Sequence, residues 1–223
     1  MSGSKICKNV SIMPRSRFSR LLFYLYKIES RSLRDRILSM VAKREGGEAF
    51  SSTLRDILGR YHNIKIGMYS YGGCFDAQNI SAGTVIGRYC SFARNVYVLS
   101  GNHPIKKKSL HPFFYNPYFG YVDKLLITRT QLVIGNDVWI GQNAIILPSV
   151  LEIGDGAAIG AGSVVAENVP RFAVVAGNPA KLIKFRFSPE TMNRIIASQW
   201  WEKDIDELKA DEVEFAYFLK PLE

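Results

Sequence analysis

The chain has 223 residues, 47% apolar and 22% charged, which is enough to bury a real core and ordinary for a soluble globular protein. Its formal charge of +9 is unevenly placed: residues 1–65 hold 14 Lys and Arg against 5 Asp and Glu, and the remainder is neutral. No nucleic-acid motif accompanies those charges, so a membrane surface or a partner subunit is the expected neighbour and nucleic acid is not. The three cysteines, Cys7, Cys74 and Cys90, show no metal spacing and suit a reducing, cytoplasmic setting.

Residues 1–14 are polar and rich in Ser and Lys. From Arg15 to about Ala42, Phe18, Leu21, Leu22, Leu25, Ile28, Leu33, Ile37, Met40 and Val41 follow helical spacing, with arginines and Lys27 filling much of the rest. The apolar run Leu21–Tyr26 is far too short to span a bilayer. Two readings stand for this helix. It packs on the rest of the fold or on a neighbouring subunit, or it lies over residues 15–42 in an anionic membrane interface. Gly46-Gly47 ends it, and Ser51/Ser52 cap a short second helix that stops at Gly59. His62 has no chemical company and is expected to be structural.

A different period begins at Ile64-Lys65-Ile66-Gly67. Aliphatic or aromatic residues recur at Ile80, Ile86-Gly87, Phe92 and Val98. After an interruption they return at Ile134-Gly135, Ile140-Gly141, Ile146, Ile153-Gly154, Ile159-Gly160 and Val165. After an irregular passage (Tyr69–Gln78) the step is six residues from Ile80 to Val98 and again from Ile134 to Val165, with seven between Ile146 and Ile153. Neither 3.6 nor 2.0 generates that step, so the segment is neither an amphipathic helix nor a plain alternating strand. An aliphatic-glycine hexad is the signature of a parallel β-helix, in which three hexads close one triangular coil. Cys90 falls four residues after Ile86 and is expected to be an inward core thiol.

The interruption, residues 101–130, holds Gly101-Asn102-His103-Pro104, the run Lys106-Lys107-Lys108, His111-Pro112 and six aromatics (Phe113, Phe114, Tyr115, Tyr118, Phe119, Tyr121). A loop this long in a regular solenoid is usually functional. His111-Pro112 reads equally as a turn, and the aromatics as a pocket lining or as loop packing. His103 lies where the coil breaks open, and a neutral imidazole is suited to take a proton near pH 7. Beyond Val165 come a turn at Ala176–Lys181, then a helix with Ser188 as cap and Pro189 in its first turn, then a second helix. The two are expected to close the end of the solenoid. The chain therefore divides into a basic helical extension (1–63), a β-helix domain (64–187) and a helical cap (188–223).

The hexads, the Gly101-Asn102-His103-Pro104 loop, Asn136-Asp137-Val138-Trp139-Ile140-Gly141, Ala176-Gly177-Asn178-Pro179-Ala180-Lys181, Arg186-Phe187 and Trp200-Trp201 together resemble the hexapeptide-repeat acyltransferases. The similar branch is the one acting on chloramphenicol and streptogramins, with related sugar and polysaccharide O-acetyltransferases. The resemblance covers about residues 64–203. It implies a mainly β protein built on a left-handed parallel β-helix, a homotrimer with active sites between subunits, and acetyl-CoA as acyl donor. It also implies His103 as general base in the Asn102-His103 loop, and direct transfer to a hydroxyl without a covalent enzyme intermediate. A backbone N–H at the Gly141–Gln142 corner is the candidate oxyanion donor. Position by position, Trp139, Gln142, Gly160, Ala161 and Ser163 would line the pantetheine arm, Asn178 and Pro179 the adenine end, and Lys181 and Lys184 the nucleotide phosphates. Ala166-Glu167 departs from the Thr-Lys of many members and sets a repulsive charge beside that site. Lys106-Lys107-Lys108 replaces the acidic and tryptophan residues of the antibiotic enzymes and argues for an anionic acceptor. Three functions are in play: O-acetylation of a sugar or polysaccharide precursor, O-acetylation of an antibiotic, and a non-catalytic scaffold.

Overall fold

A computed structural model describes residues 19–27 and 30–222. Each hexad forms a two-residue strand, and the strands stack in parallel into the three walls of a coil. One wall is β1 (Lys65–Ile66), β3 (Val85–Ile86), β6 (Val133–Ile134) and β9 (Glu152–Ile153). The second is β2 (Tyr71–Gly72), β4 (Ser91–Phe92), β7 (Trp139–Ile140) and β10 (Ala158–Ile159), and the third β5 (Tyr97–Val98), β8 (Ile145–Ile146) and β11 (Val164–Val165). β12 (Ala173–Gly177) extends the second wall in parallel, and β13 (Ala180–Phe185) folds back on it antiparallel. This is a parallel β-helix.

The six-residue step follows from what points inward. The second residue of every two-residue strand except β2, which ends on half-buried Gly72, is buried: Ile66, Ile86, Phe92, Val98, Ile134, Ile140, Ile146, Ile153, Ile159 and Val165. So are residues two positions earlier, including Cys90, Val96, Leu132, Val138, Ala144 and Ala157. Each buried Ile contributes roughly 1.5–3 kcal/mol, and neighbouring coils share the gain. The glycine after the aliphatic residue serves stacking. A Cβ on Gly141 would stand 2.5 Å from the Ala161 nitrogen on the next coil. Turning falls to other residues: Asn95, Asn143 and Gly162 adopt positive φ at one corner on successive coils.

The N-terminal segment departs from one continuous helix. α1 (Ser19–Leu25) and α2 (Arg31–Arg44) are separated by a turn at Tyr26 and Lys27. Cys7, Phe18 and Ile28 lie outside the described residues. The tertiary structure holds the turn: Tyr26 is buried, and its hydroxyl lies 2.7 Å from Nε2 of His62. Burial, seconded by Arg34, lowers the His62 pKa, which suits a neutral ring in that bond. α2 sends Ile37 and Val41 into the same core as Leu54, Ile57 and Leu58, so the helical extension packs against the first coil. α3 (Ser52–Ile57) begins as expected, with the Ser51 hydroxyl accepting from the Leu54 N–H at 3.1 Å. It does not stop at Gly59. Fully buried Leu58 carries the chain on as a wide turn to His62, ended by Asn63 at φ 54°.

The C-terminal helices also lie differently from the expectation. The residues that flank α4 (Pro189–Ser198) and precede α5 (Ile205–Ala210) meet one corner of the coils instead of crossing the end, and α6 (Glu212–Phe218) packs on α5 and Trp200. Arg186 and Phe187 meet Asp137, Gly156 and Phe172 on later coils, whereas Trp200 packs on Tyr89 and Asp204 pairs with Arg88 at 2.7 Å on an early one. Ten residues of α4 cover about 15 Å, the height of about three stacked coils. The helix thus returns along the stack.

Candidate active site

The excursion of residues 101–130 leaves after the third wall and re-enters before the first. Its ends are pinched by the Thr130 N–H donating to the Ser100 carbonyl at 2.8 Å and by the Thr130 hydroxyl donating to the Pro148 carbonyl at 2.9 Å. Pro148 belongs to the seven-residue step, so the extra residue faces this loop. Within the loop, Ile105 N–H bonds back to the His103 carbonyl and Lys107 N–H to the Pro104 carbonyl, both at 2.9 Å. That tight turn puts Asn102, His103, Lys106 and Lys107 on one open cleft of about 540 Å³, which Thr128, Thr130, Pro148 and Ser149 also line.

His103 is exposed in this cleft. Its Nδ1 lies 2.8 Å from the Leu110 carbonyl oxygen and 3.0 Å from the Tyr115 hydroxyl. A carbonyl can only accept, so Nδ1 carries the proton and Nε2 keeps its lone pair. The Tyr115 ring, buried and edge-on to the imidazole, braces it further. Spacing does not say which of the six loop aromatics turns inward, so Tyr115 is singled out by the folded loop alone. Phe113, Phe114, Phe119, Tyr118 and Tyr121 stay exposed; Phe113 contacts Phe119 and Tyr121. His111 accepts from the Phe113 N–H through Nδ1 at 3.3 Å, the turn role. Neither described cysteine offers a nucleophile. Both are fully buried, which pushes Cys90 up to about 12 and raises Cys74 as well.

The remaining candidates lie elsewhere on the same chain. Trp139, half-exposed on β7, and Gly160 belong to the second wall; Gln142 and Ala161 are exposed at the corner that follows it. The Gly141 N–H is spent on the Ile159 carbonyl at 2.8 Å, which leaves the Gln142 N–H at that corner. Ser163 is fully buried with its Oγ accepting from the Gly177 N–H at 3.3 Å, so Ala161 and Gly162 present the surface there. Asn178, Pro179, Lys181 and Lys184 are exposed around the β12–β13 hairpin, and Asn178-Pro179 is cis. Glu167 is an ion-pair partner of Lys181 at 3.5 Å. None of these residues lines the His103 cleft. An aromatic face and small exposed residues leading to two lysines fit a long, thin thioester with an anionic end. Among the described residues, no cluster could hold a metal ion.

The description "Bacterial transferase hexapeptide (six repeats)" matches residues 132–167. A chloramphenicol acetyltransferase of Klebsiella aerogenes is 36% identical over 168 residues, covering 66% of this chain and 80% of that protein. The chain belongs to the hexapeptide-repeat transferase family. A probable macrolide acetyltransferase of Lysinibacillus sphaericus is 40% identical over 132 residues, covering 56% of this chain and 72% of that protein. The putative lipopolysaccharide biosynthesis O-acetyl transferase WbbJ of Escherichia coli (strain K12) is 33% identical over 125 residues, covering 53% and 54% respectively. As a hexapeptide-repeat transferase the protein is an acetyl-CoA-dependent O-acetyltransferase, an enzyme and not a bare scaffold. No helix among the described residues is long and apolar enough to cross a membrane.

Proposed function

We propose that this hexapeptide-repeat transferase acetylates a hydroxyl of a sugar or polysaccharide precursor, with His103 as general base. The observation that carries the reading is the Leu110 carbonyl 2.8 Å from Nδ1, which leaves Nε2 as the basic nitrogen in the cleft. Nε2 takes the acceptor proton as that oxygen attacks the thioester carbonyl. The Gln142 N–H holds the developing oxyanion, the carbon–sulfur bond breaks, and the imidazolium returns its proton to the leaving thiolate. Asn102 lines the cleft beside the base.

His103 hangs from one corner of the coil, whereas Trp139, Gln142, Gly160 and Ala161 occupy a different wall and corner. One chain thus carries two half-sites, and a left-handed coil assembled as a trimer would bring them together between subunits. Exposed loop aromatics favour sugar rings as the acceptor, and the likeness to WbbJ points the same way. The chloramphenicol and macrolide acetyltransferase relatives favour a second reading, an antibiotic acceptor. Replacing His103→Ala should slow transfer roughly 10²–10⁴-fold while leaving acetyl-CoA binding and trimer mass intact; full residual activity removes His103 as base. Thiol release from acetyl-CoA over a panel of sugars, sugar nucleotides and antibiotics chooses the acceptor.

We also propose peripheral contact with the inner face of a membrane. Leu21, Tyr24, Leu25, Leu33 and Met40 remain exposed on α1 and α2 beside Lys27, Arg36 and Lys43, even though the opposite face of α2 is packed. Arg36→Glu with Lys43→Glu should lower co-sedimentation with anionic liposomes. Unchanged sedimentation removes the reading.

A further inference from the structure

We infer that the acceptor is anionic and that Lys106 and Lys107 are its specificity-determining contacts. The inference rests on the reading of the His103 cleft as the acceptor site. Lys106 and Lys107 are the charged side chains that line the cleft besides the titratable His103, and no carboxylate faces them across it. Among the described residues neither lysine makes an ion pair, and both are exposed. The turn made by Ile105 N–H and Lys107 N–H holds them on the same cleft as the imidazole. Two ammonium groups on one cleft with no carboxylate in its lining make that cleft cationic, and an anion bound there gains Coulomb attraction that salt screens because both lysines are exposed. Lysine also donates hydrogen bonds and accepts none. The arrangement suits a molecule with its charge at the lysines and its free hydroxyl at Nε2.

The test uses the full chain and three matched probes: glucose 1-phosphate, glucuronic acid and methyl glucoside. Binding is followed by calorimetry with coenzyme A present, and acetyl transfer by thiol release. At least one charged probe should bind about five- to ten-fold tighter than methyl glucoside at low salt, an advantage that fades as salt rises. The phosphate and carboxylate arms decide which anion is preferred. In the double variant Lys106→Gln/Lys107→Gln that advantage should disappear, with KM for acetyl-CoA and trimer mass unchanged. Three results overturn the inference: no preference for either charged probe in the native protein, a rise in acetyl-CoA KM in the variant, or loss of the trimer. His103→Ala separates the two layers. If it transfers acetyl groups as fast as the native protein, the base assignment fails while anion preference is judged by binding alone. If it is slowed as expected and the lysine variant binds the probes like the native protein, the charge inference fails by itself.

Discussion

Replacing Tyr115→Phe tests whether the imidazole is held from behind, as the geometry requires. The Tyr115 hydroxyl lies 3.0 Å from His103 Nδ1 and the Leu110 carbonyl 2.8 Å from the same atom. The Nδ1 proton is therefore shared between two acceptors. When Nε2 takes a proton in the transition state the ring becomes cationic, and both contacts strengthen. A hydrogen bond to a charged group is worth about 1.5–3 kcal/mol, a neutral one about 1 kcal/mol. Only the difference between the two states lowers the barrier, and the Leu110 contact survives the substitution. A change on the order of 1.4 kcal/mol follows, or about tenfold in kcat. Removing the base through His103→Ala should cost roughly 10²–10⁴-fold. The assay is steady-state thiol release from acetyl-CoA, with the KM for acetyl-CoA unchanged in Tyr115→Phe because that side chain lies away from the donor residues. A Tyr115→Phe enzyme as fast as the native one, or as inactive as His103→Ala, would refute the reasoning.

Other consequences are open to measurement. In Gly141→Ala the new methyl would sit 2.5 Å from the Ala161 nitrogen, so the coils must separate; overpacking of about 1–3 kcal/mol should lower Tm by roughly 2–12 °C, and an unchanged calorimetric Tm would show that close stacking does not demand this glycine. Releasing Lys181 through Glu167→Gln should lower the KM for acetyl-CoA about two- to five-fold at low salt; a KM that rises or stays put would mean Lys181 does not serve the donor. Burial raises both described thiols, Cys90 to about 12, so at pH 8 only a trace is thiolate. A thiol reagent should leave Cys74 and Cys90 unmodified in the native protein and label both in denaturant; mass spectrometry showing native labelling of either would contradict the packed core.

Much of the β-helix could be read from the order of residues, because a six-residue return of aliphatics has one structural explanation and each inward position is set by its own hexad. Ile134, Ile140, Ile146, Ile153 and Ile159 lie where that step puts them, and Cys90 is inward as expected. The same local logic found Ser51 and Ser188 as caps and His103 as the imidazole at the break in the coil. Position along the chain could not supply anything that depends on a distant partner. The Tyr26 turn is held by His62, the C-terminal helices follow a corner because Arg88 and Tyr89 receive them, and Tyr115 was one aromatic among six until the folded loop brought its hydroxyl to Nδ1. The difference is physical. A repeat is specified by nearest neighbours within and between coils, whereas a site is a meeting of residues far apart in sequence, decided by how loops close in three dimensions.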